Sequence, residues 1–199
     1  MDPRSQRSRD RLTTAVIRFA CAGRLDDVSV SELARAAEVT RDTFYRHASS
    51  VTELLSIALA DKLAELVAET NEQLPTRAEL GGVLSAGELR LLRHIEELAP
   101  VYRTALAGQS AAPVRRTLTG FLQRNLEVAL RVYPDIAPIP EHELDDESVA
   151  VLAAYAASGT VGAIEVWLSC DEPRAVEDVR RIIKAGAPEW WVRATGGAA

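Results

Sequence analysis

Arg41, Thr43, Tyr45, Arg46 and His47 fall within seven consecutive residues, and Thr40 adds a hydroxyl just before them. All are hydrogen-bond donors. Arginine is the side chain best suited to read guanine through two parallel bonds, and a threonine can touch a phosphate or a thymine methyl. A helix this short fits a DNA major groove. The chemistry these residues could do is therefore recognition of duplex DNA.

The surrounding punctuation supplies the elements that must hold such a helix. Ser29 stands three residues before Glu32, and Ser50 three before Glu53. Each pair spells a capping box, in which the hydroxyl accepts a backbone N–H and the carboxylate reaches back. One helix is expected to start near Val30 and another near Val51, with Thr40 capping the short helix between them. Leu33, Ala34, Ala37, Val39 and Phe44 would supply its apolar contacts, with Phe44 pointing inward and Ala34 small enough for two helices to cross closely.

The run V-T-R-D-T-F-Y-R-H at 39–47, followed by S-x-x-E-L-L at 50–55, resembles the DNA-binding end of the TetR family of bacterial transcriptional repressors. The likeness extends over residues 9–60; beyond it only length and helical organisation agree. It implies that Tyr45 and His47 hold phosphates while Arg41, Thr43 and Arg46 face the groove. Three positions depart from the family. Its turn often has Gly, where this chain has Glu38; a non-Gly residue in a left-handed turn costs about 1 kcal/mol. Asp42 replaces a common Gly, Pro or Ala; it would repel phosphate, favour the helix N-terminus or accept from a cytosine amino group. Val51 replaces a common Lys and removes one phosphate contact.

Composition agrees with a globular chain: 199 residues, 47% hydrophobic, net charge −6. Residues 1–50 hold nine Arg against seven acids, a net of +2, while the remainder holds 14 basic and 22 acidic residues, a net of −8. This is the asymmetry of a basic head on an acidic body. Only Lys62 and Lys184 are lysines, which fits codon bias in a GC-rich genome. Cys21 and Cys170 are too far apart in sequence for a metal-binding spacing and read as reduced core thiols in a cytosolic protein. The charged N-terminus lacks a secretory apolar core. From Val149 to Leu168 only Glu165 is charged, but the run is Ala-, Ser- and Gly-rich and reads as a packing helix rather than a membrane span.

The fold is expected to be all-α, with about nine helices. The first runs from about Arg9 to Ala22, burying Leu12, Ala15, Val16, Phe19 and Ala20 and ending at Gly23. The fourth runs from Val51 to about Glu72, burying Leu55, Ala58, Leu59, Leu63, Leu66 and Val67. A helix capped by Ser85 and Glu88 would end near Ala99; others span Val101–Ala107, Pro113–Tyr133, Glu147–Ser169 and about 173–186, with a loop over 134–146. The domain reading is a head over 1–50, a helical effector and dimerisation body over 51–189, and a tail over 190–199. Arg4, Arg7, Arg9 and Arg11 either reach DNA phosphates or the minor groove, or lie on a disordered tail.

Two further sites follow from the resemblance. Small residues along 147–169 allow close backbone approach, and the family's last two helices pair with a second subunit. The homodimer face would use Ala153, Ala156, Gly159, Ala163, Val176, Val179 and Ile183, unless these helices pack only within one chain. An effector pocket would use apolar walls from Leu63, Leu92, Ile95, Leu122 and Trp167. Its polar groups would be His94, Tyr102, Gln123, Asn125 and Tyr155, each of which also fits a surface or satisfied core position.

Enzymatic motifs are missing: no G-x-S-x-G, P-loop, dinucleotide glycine pattern or H-E-x-x-H occurs, and His47, His94 and His142 are far apart. No catalytic residue, cofactor or metal is called for, and Glu141-His142-Glu143 reads as a solvated loop. The expectation is a ligand-responsive, DNA-binding repressor on a palindromic operator, released by a small-molecule effector. The alternative is a helical interaction protein of the same fold that has lost DNA binding. An enzyme built on the helical body is a weaker rival.

Overall fold

The computed structural model describes residues 3–68, 75–108 and 110–196. Among them are ten α-helices and no strand: α1 (Pro3–Cys21), α2 (Val30–Ala36), α3 (Arg41–His47), α4 (Val51–Ala68), α5 (Arg77–Glu97), α6 (Ala99–Ala107), α7 (Ala111–Val132), α8 (Asp146–Ser169), α9 (Val176–Gly186) and α10 (Glu189–Ala194). Two 3-10 turns, Pro134–Ile136 and Glu141–Glu143, fill the acidic, proline-rich loop. The chain forms two compact units, Met1–Lys62 with Leu98–Thr117, and Leu63–Glu97 with Leu118–Ala199.

In the first unit, α1 buries Leu12, Ala15, Val16, Phe19 and Ala20, the stripe read from the sequence. It ends in a Schellman turn: the Arg24 N–H bonds the Phe19 carbonyl at 3.0 Å, the Gly23 N–H bonds Ala20 at 3.0 Å, and Gly23 has φ 68°. The helix begins at Pro3, so Arg4, Arg7, Arg9 and Arg11 lie on it and form no separate tail. Arg9 gives Asp61 of α4 bonds of 2.7 and 2.8 Å, and Arg11 stands 3.5 Å from Glu38. The α6 helix packs on α1 and buries Val101, Tyr102 and Ala105. Ser110, just before α7, is buried with its hydroxyl 3.2 Å from that of Thr52. Leu54, Leu55, Ala58 and Leu59 of α4 are buried here; the end of α4 belongs to the second unit, where Leu63 is buried and Val67 is exposed, departing from the expected stripe. The expected end of α4 at Glu72 lies outside the described residues.

In the second unit, Leu80 of α5, Leu126 and Leu130 of α7, Val149, Ala153 and Ala157 of α8, and Trp190 and Ala194 of α10 form one core. The α5 helix starts eight residues earlier than Ser85. Its cap is Thr76, whose N–H and hydroxyl both donate to Glu79, at 2.9 and 2.7 Å. Ser85 and Glu88 instead sit mid-helix and hold Arg180 of α9, while the Trp191 indole donates to Glu88 at 2.8 Å. Burial pushes the Glu88 carboxyl up from the ordinary range despite Trp191 and Arg180 beside it. The sequence expectation of a tail from 190 is thus replaced, over 189–194, by a docked helix; residues 197–199 lie outside the described part. Asp145 caps α8, accepting from the Ser148 N–H at 2.8 Å. Cys21 and Cys170 are free but exposed, not core thiols as expected.

Candidate nucleic-acid interface

The α2–α3 pair is a helix-turn-helix built by its caps. The Glu32 N–H donates to the Ser29 hydroxyl and the Thr43 N–H to the Thr40 hydroxyl, each at 3.1 Å. Only the hydroxyl half of each expected capping box forms as spelled. Glu32 turns to Arg24 at 2.9 Å, and Glu53 accepts the N–H of Ser49 at 2.7 Å instead of that of Ser50. Leu33, Ala34, Ala37 and Phe44 are buried as expected, and α3 is thereby pinned on α2 and α1.

The turn passes through Glu38 at φ 54°, the left-handed conformation expected at this position. Its ion pair with Arg11 is largely exposed and contributes little. Glu38→Gly is therefore expected to stabilise the chain by roughly 0.5–1 kcal/mol in a denaturant melt, the relief of left-handed strain less the flexibility cost of glycine. A destabilised variant would show that the Arg11 contact outweighs the strain.

With Phe44 inward, α3 turns Arg41, Asp42, Tyr45 and Arg46 to solvent, with Thr43 and His47 half-buried at the edges. The Tyr45 ring meets Phe44 edge-on at 5.5 Å and is half exposed, which fixes the direction of its hydroxyl. Arg46 is laid along the helix: its Nη2 donates to the Thr43 hydroxyl at 3.1 Å, that hydroxyl is 2.9 Å from Thr40, and Nε stands 3.8 Å from Asp42. Partial burial, then the Arg46 and Arg9 charges, hold the His47 imidazole below its ordinary pKa. His47 is therefore a neutral donor at pH 7 unless an anion approaches. All six residues read as DNA contacts, Thr40, Arg41, Thr43, Tyr45, Arg46 and His47, thus lie on one short element and its cap.

The other expected sites are placed differently. Ala153, Ala156, Val176 and Val179 are buried within their own chain, so they cannot face a partner. Small residues surround α8 on all sides, and the sequence does not reveal which side turns in. The outward stripe is Val151, Tyr155, Ser158, Gly159, Gly162 and Val166, with Ile182 exposed on α9; Ala163 and Ile183 are half-buried. A Cβ on Gly159 or Gly162 would meet nothing. By length and composition α8 is also the one described helix apolar enough to cross a membrane.

Of the proposed pocket residues, Tyr102 is fully buried in the first unit, and its phenol is pushed well above the ordinary range by that burial. In the second unit His94 is buried. Trp167 is buried with its indole donating to the Arg174 carbonyl at 2.9 Å, and Gln123 donates to Glu127 at 2.9 Å. Tyr155 is 73% exposed and Asn125 is exposed, so neither serves as an interior polar group. A surface cleft of about 480 Å³ lies instead beside the start of α4, lined by hydroxyls of Ser49, Ser50, Thr52, Ser56 and Thr117 with Glu53 and Arg116. Among the described residues no group of three or more His, Cys, Asp or Glu is placed to hold a metal ion.

Comparison with solved structures shows that this all-α arrangement is shared with proteins described as transcriptional regulators. The chain is similar to the dihydroxyacetone kinase operon activator DhaS, at 14% identity and a TM-score of 0.62, over 96% of this chain and 98% of that one. It is similar to a TetR-family transcriptional regulator from Streptomyces coelicolor, at 17% identity and a TM-score of 0.57, over 90% and 78%. It is also similar to the fatty acid degradation regulator FadR from Bacillus halodurans, at 18% identity and a TM-score of 0.58, over 92% and 95%. No protein-family model and no curated sequence matches the chain. The fold is that of TetR-family regulators.

Proposed function

We propose that this protein is a DNA-binding transcriptional regulator, working in the cytoplasm as a homodimer on a palindromic operator. The observation that carries the reading is α3 itself: a capped helix that exposes Arg41, Tyr45 and Arg46, with Thr43 and His47 at its edges, above a fully buried Phe44. Tyr45 and His47 flank Arg46 and serve as phosphate anchors, while Arg41, Thr43 and Arg46 face base edges. Two such heads suit half-sites one helical turn, about 34–36 Å, apart. The dimer face consistent with the burial pattern is the outward stripe of α8 with Ile182, since its bare glycines admit a second helix closely.

Occupying an operator blocks transcription, and repression is the proposed outcome; a reporter gene that falls silent without the protein would show activation instead. Release by a small-molecule effector is the second half of the proposal. It rests on the fold, whose solved examples include regulators named for dihydroxyacetone kinase and fatty acid degradation. An effector acts only through a difference in affinity for the two conformations.

Selection from a random duplex pool is expected to return a two-fold motif, bound with marked salt dependence. Tyr45→Ala and His47→Ala are each expected to weaken binding to every duplex alike, roughly 10- to 150-fold, the loss of one hydrogen bond to a charged group. Unchanged affinity would remove their assigned role. The exposed Asp42 carboxylate on α3 favours a second reading, a helical interaction protein without DNA affinity. Absence of binding to any duplex at low salt would establish it.

A further inference from the structure

We propose that Asp42 and Arg46 act together as the reader of a single G·C base pair in each half-site, Arg46 donating to guanine and Asp42 accepting from the cytosine amino group; this rests on α3 being the recognition helix. The two side chains lie one turn apart, 88% and 69% exposed, with Asp42 Oδ2 3.8 Å from Arg46 Nε. Folding accounts for the carboxylate only in part: in the first turn of α3 it gains a modest stabilisation from the helix dipole. An exposed pair of this spacing contributes little to stability. The N-terminus of α3 is already capped by Thr40, and the Asp42 carboxylate accepts no hydrogen bond among the described residues. On DNA the same carboxylate is repelled by every phosphate nearby, so it is tolerated only where it gains a donor.

The donors in a major groove are few. Cytosine N4 and adenine N6 can give a hydrogen bond, while guanine N7 and O6, adenine N7 and thymine O4 only accept. A carboxylate therefore rejects guanine and thymine edges. Arg46 asks for the opposite, two neighbouring acceptors, which guanine alone offers. Across one G·C pair the groove presents acceptor, acceptor, donor in a row, the complement of an arginine with a carboxylate at its side. An A·T pair presents acceptor, donor, acceptor and leaves the guanidinium without its second partner. The Thr40–Thr43–Arg46 chain of hydrogen bonds sets the guanidinium beside Asp42 before DNA arrives, and less side-chain freedom is lost on binding.

The test is selection of bound sequences from a random duplex pool by the full-length protein, its Asp42→Ala, Asp42→Asn and Arg46→Ala variants, with salt-dependent affinities on the selected site. The wild type is expected to require G·C at one position of each half-site. Asp42→Ala should cut the preference for that pair by about 5-fold or more, and Arg46→Ala should relax the same position. Asp42→Asn should shift it toward adenine, which an amide reads through two bonds. Removing the charge should also raise affinity for random duplex and steepen its salt dependence by about one phosphate contact. If Asp42→Ala selects the wild-type motif, or the two alanine variants relax different pairs, the joint reading is overturned while the regulator reading stands. If the wild type selects nothing, both fall.

Discussion

Gly162→Arg, alone or with Gly159→Arg, is expected to yield a folded monomer whose operator affinity is lower by about 10²–10⁴. Both glycines have open space where a side chain would project, so the substitution strikes nothing in its own chain. Replacing a mid-helix glycine even favours the helix by about 1 kcal/mol. In the proposed dimer, what the arginines would strike is a second subunit. The surrounding stripe leaves Val151 62%, Tyr155 73% and Val166 66% exposed, and each large apolar chain covered by a partner contributes roughly 1.5–3 kcal/mol. Lengthy charged side chains at its centre would hold the two surfaces apart. One head on one half-site then loses the effective concentration that a linked second head supplies. Sedimentation, a thermal melt and a mobility shift on the selected operator measure the three parts of this expectation. A variant that still sediments as a dimer would move the interface to another surface, and the stripe would need a different occupant.

The head was legible because its signals are local. Capping hydroxyls at Ser29 and Thr40, the i, i+3, i+4 stripe of α1 and the left-handed turn at Glu38 all act within a few residues, and all are found where the chain spells them. The second unit resisted for a physical reason. Thr76-x-x-Glu79 and Ser85-x-x-Glu88 are the same motif, and the sequence cannot say which one opens a helix. Ser85 and Glu88 are committed to Arg180, 95 and 92 positions away. The inward side of α8 is equally non-local: Ala153 and Gly159 are both small, and only the packing of α5, α7 and α10 determines that the first is buried and the second bare. The α10 helix, six residues long, is held by Trp190 in the core and Trp191 on Glu88 rather than by any propensity of its own.

Phe44→Ala is expected to cost about 3–5 kcal/mol and to abolish operator binding without touching a single DNA-facing group. Phe44 is fully buried on a seven-residue helix. So short a helix has almost no stability alone; its position depends on this one large side chain, the Thr40 cap and the adjoining α1 and α2. Deleting the ring removes the transfer gain and leaves a cavity, and it takes away the edge contact that orients Tyr45. Direction and magnitude separate this variant from Tyr45→Ala, which should melt like the wild type and bind more weakly. For Phe44→Ala, amide exchange should rise first across residues 30–47 while the core around Leu130 and Trp190 stays protected. The milder Phe44→Leu keeps most of the volume and should recover most of the stability and binding. A Phe44→Ala protein with wild-type melting and wild-type operator affinity would mean that α3 is not held from beneath, and the rigidity assigned to the reading face would be lost with it.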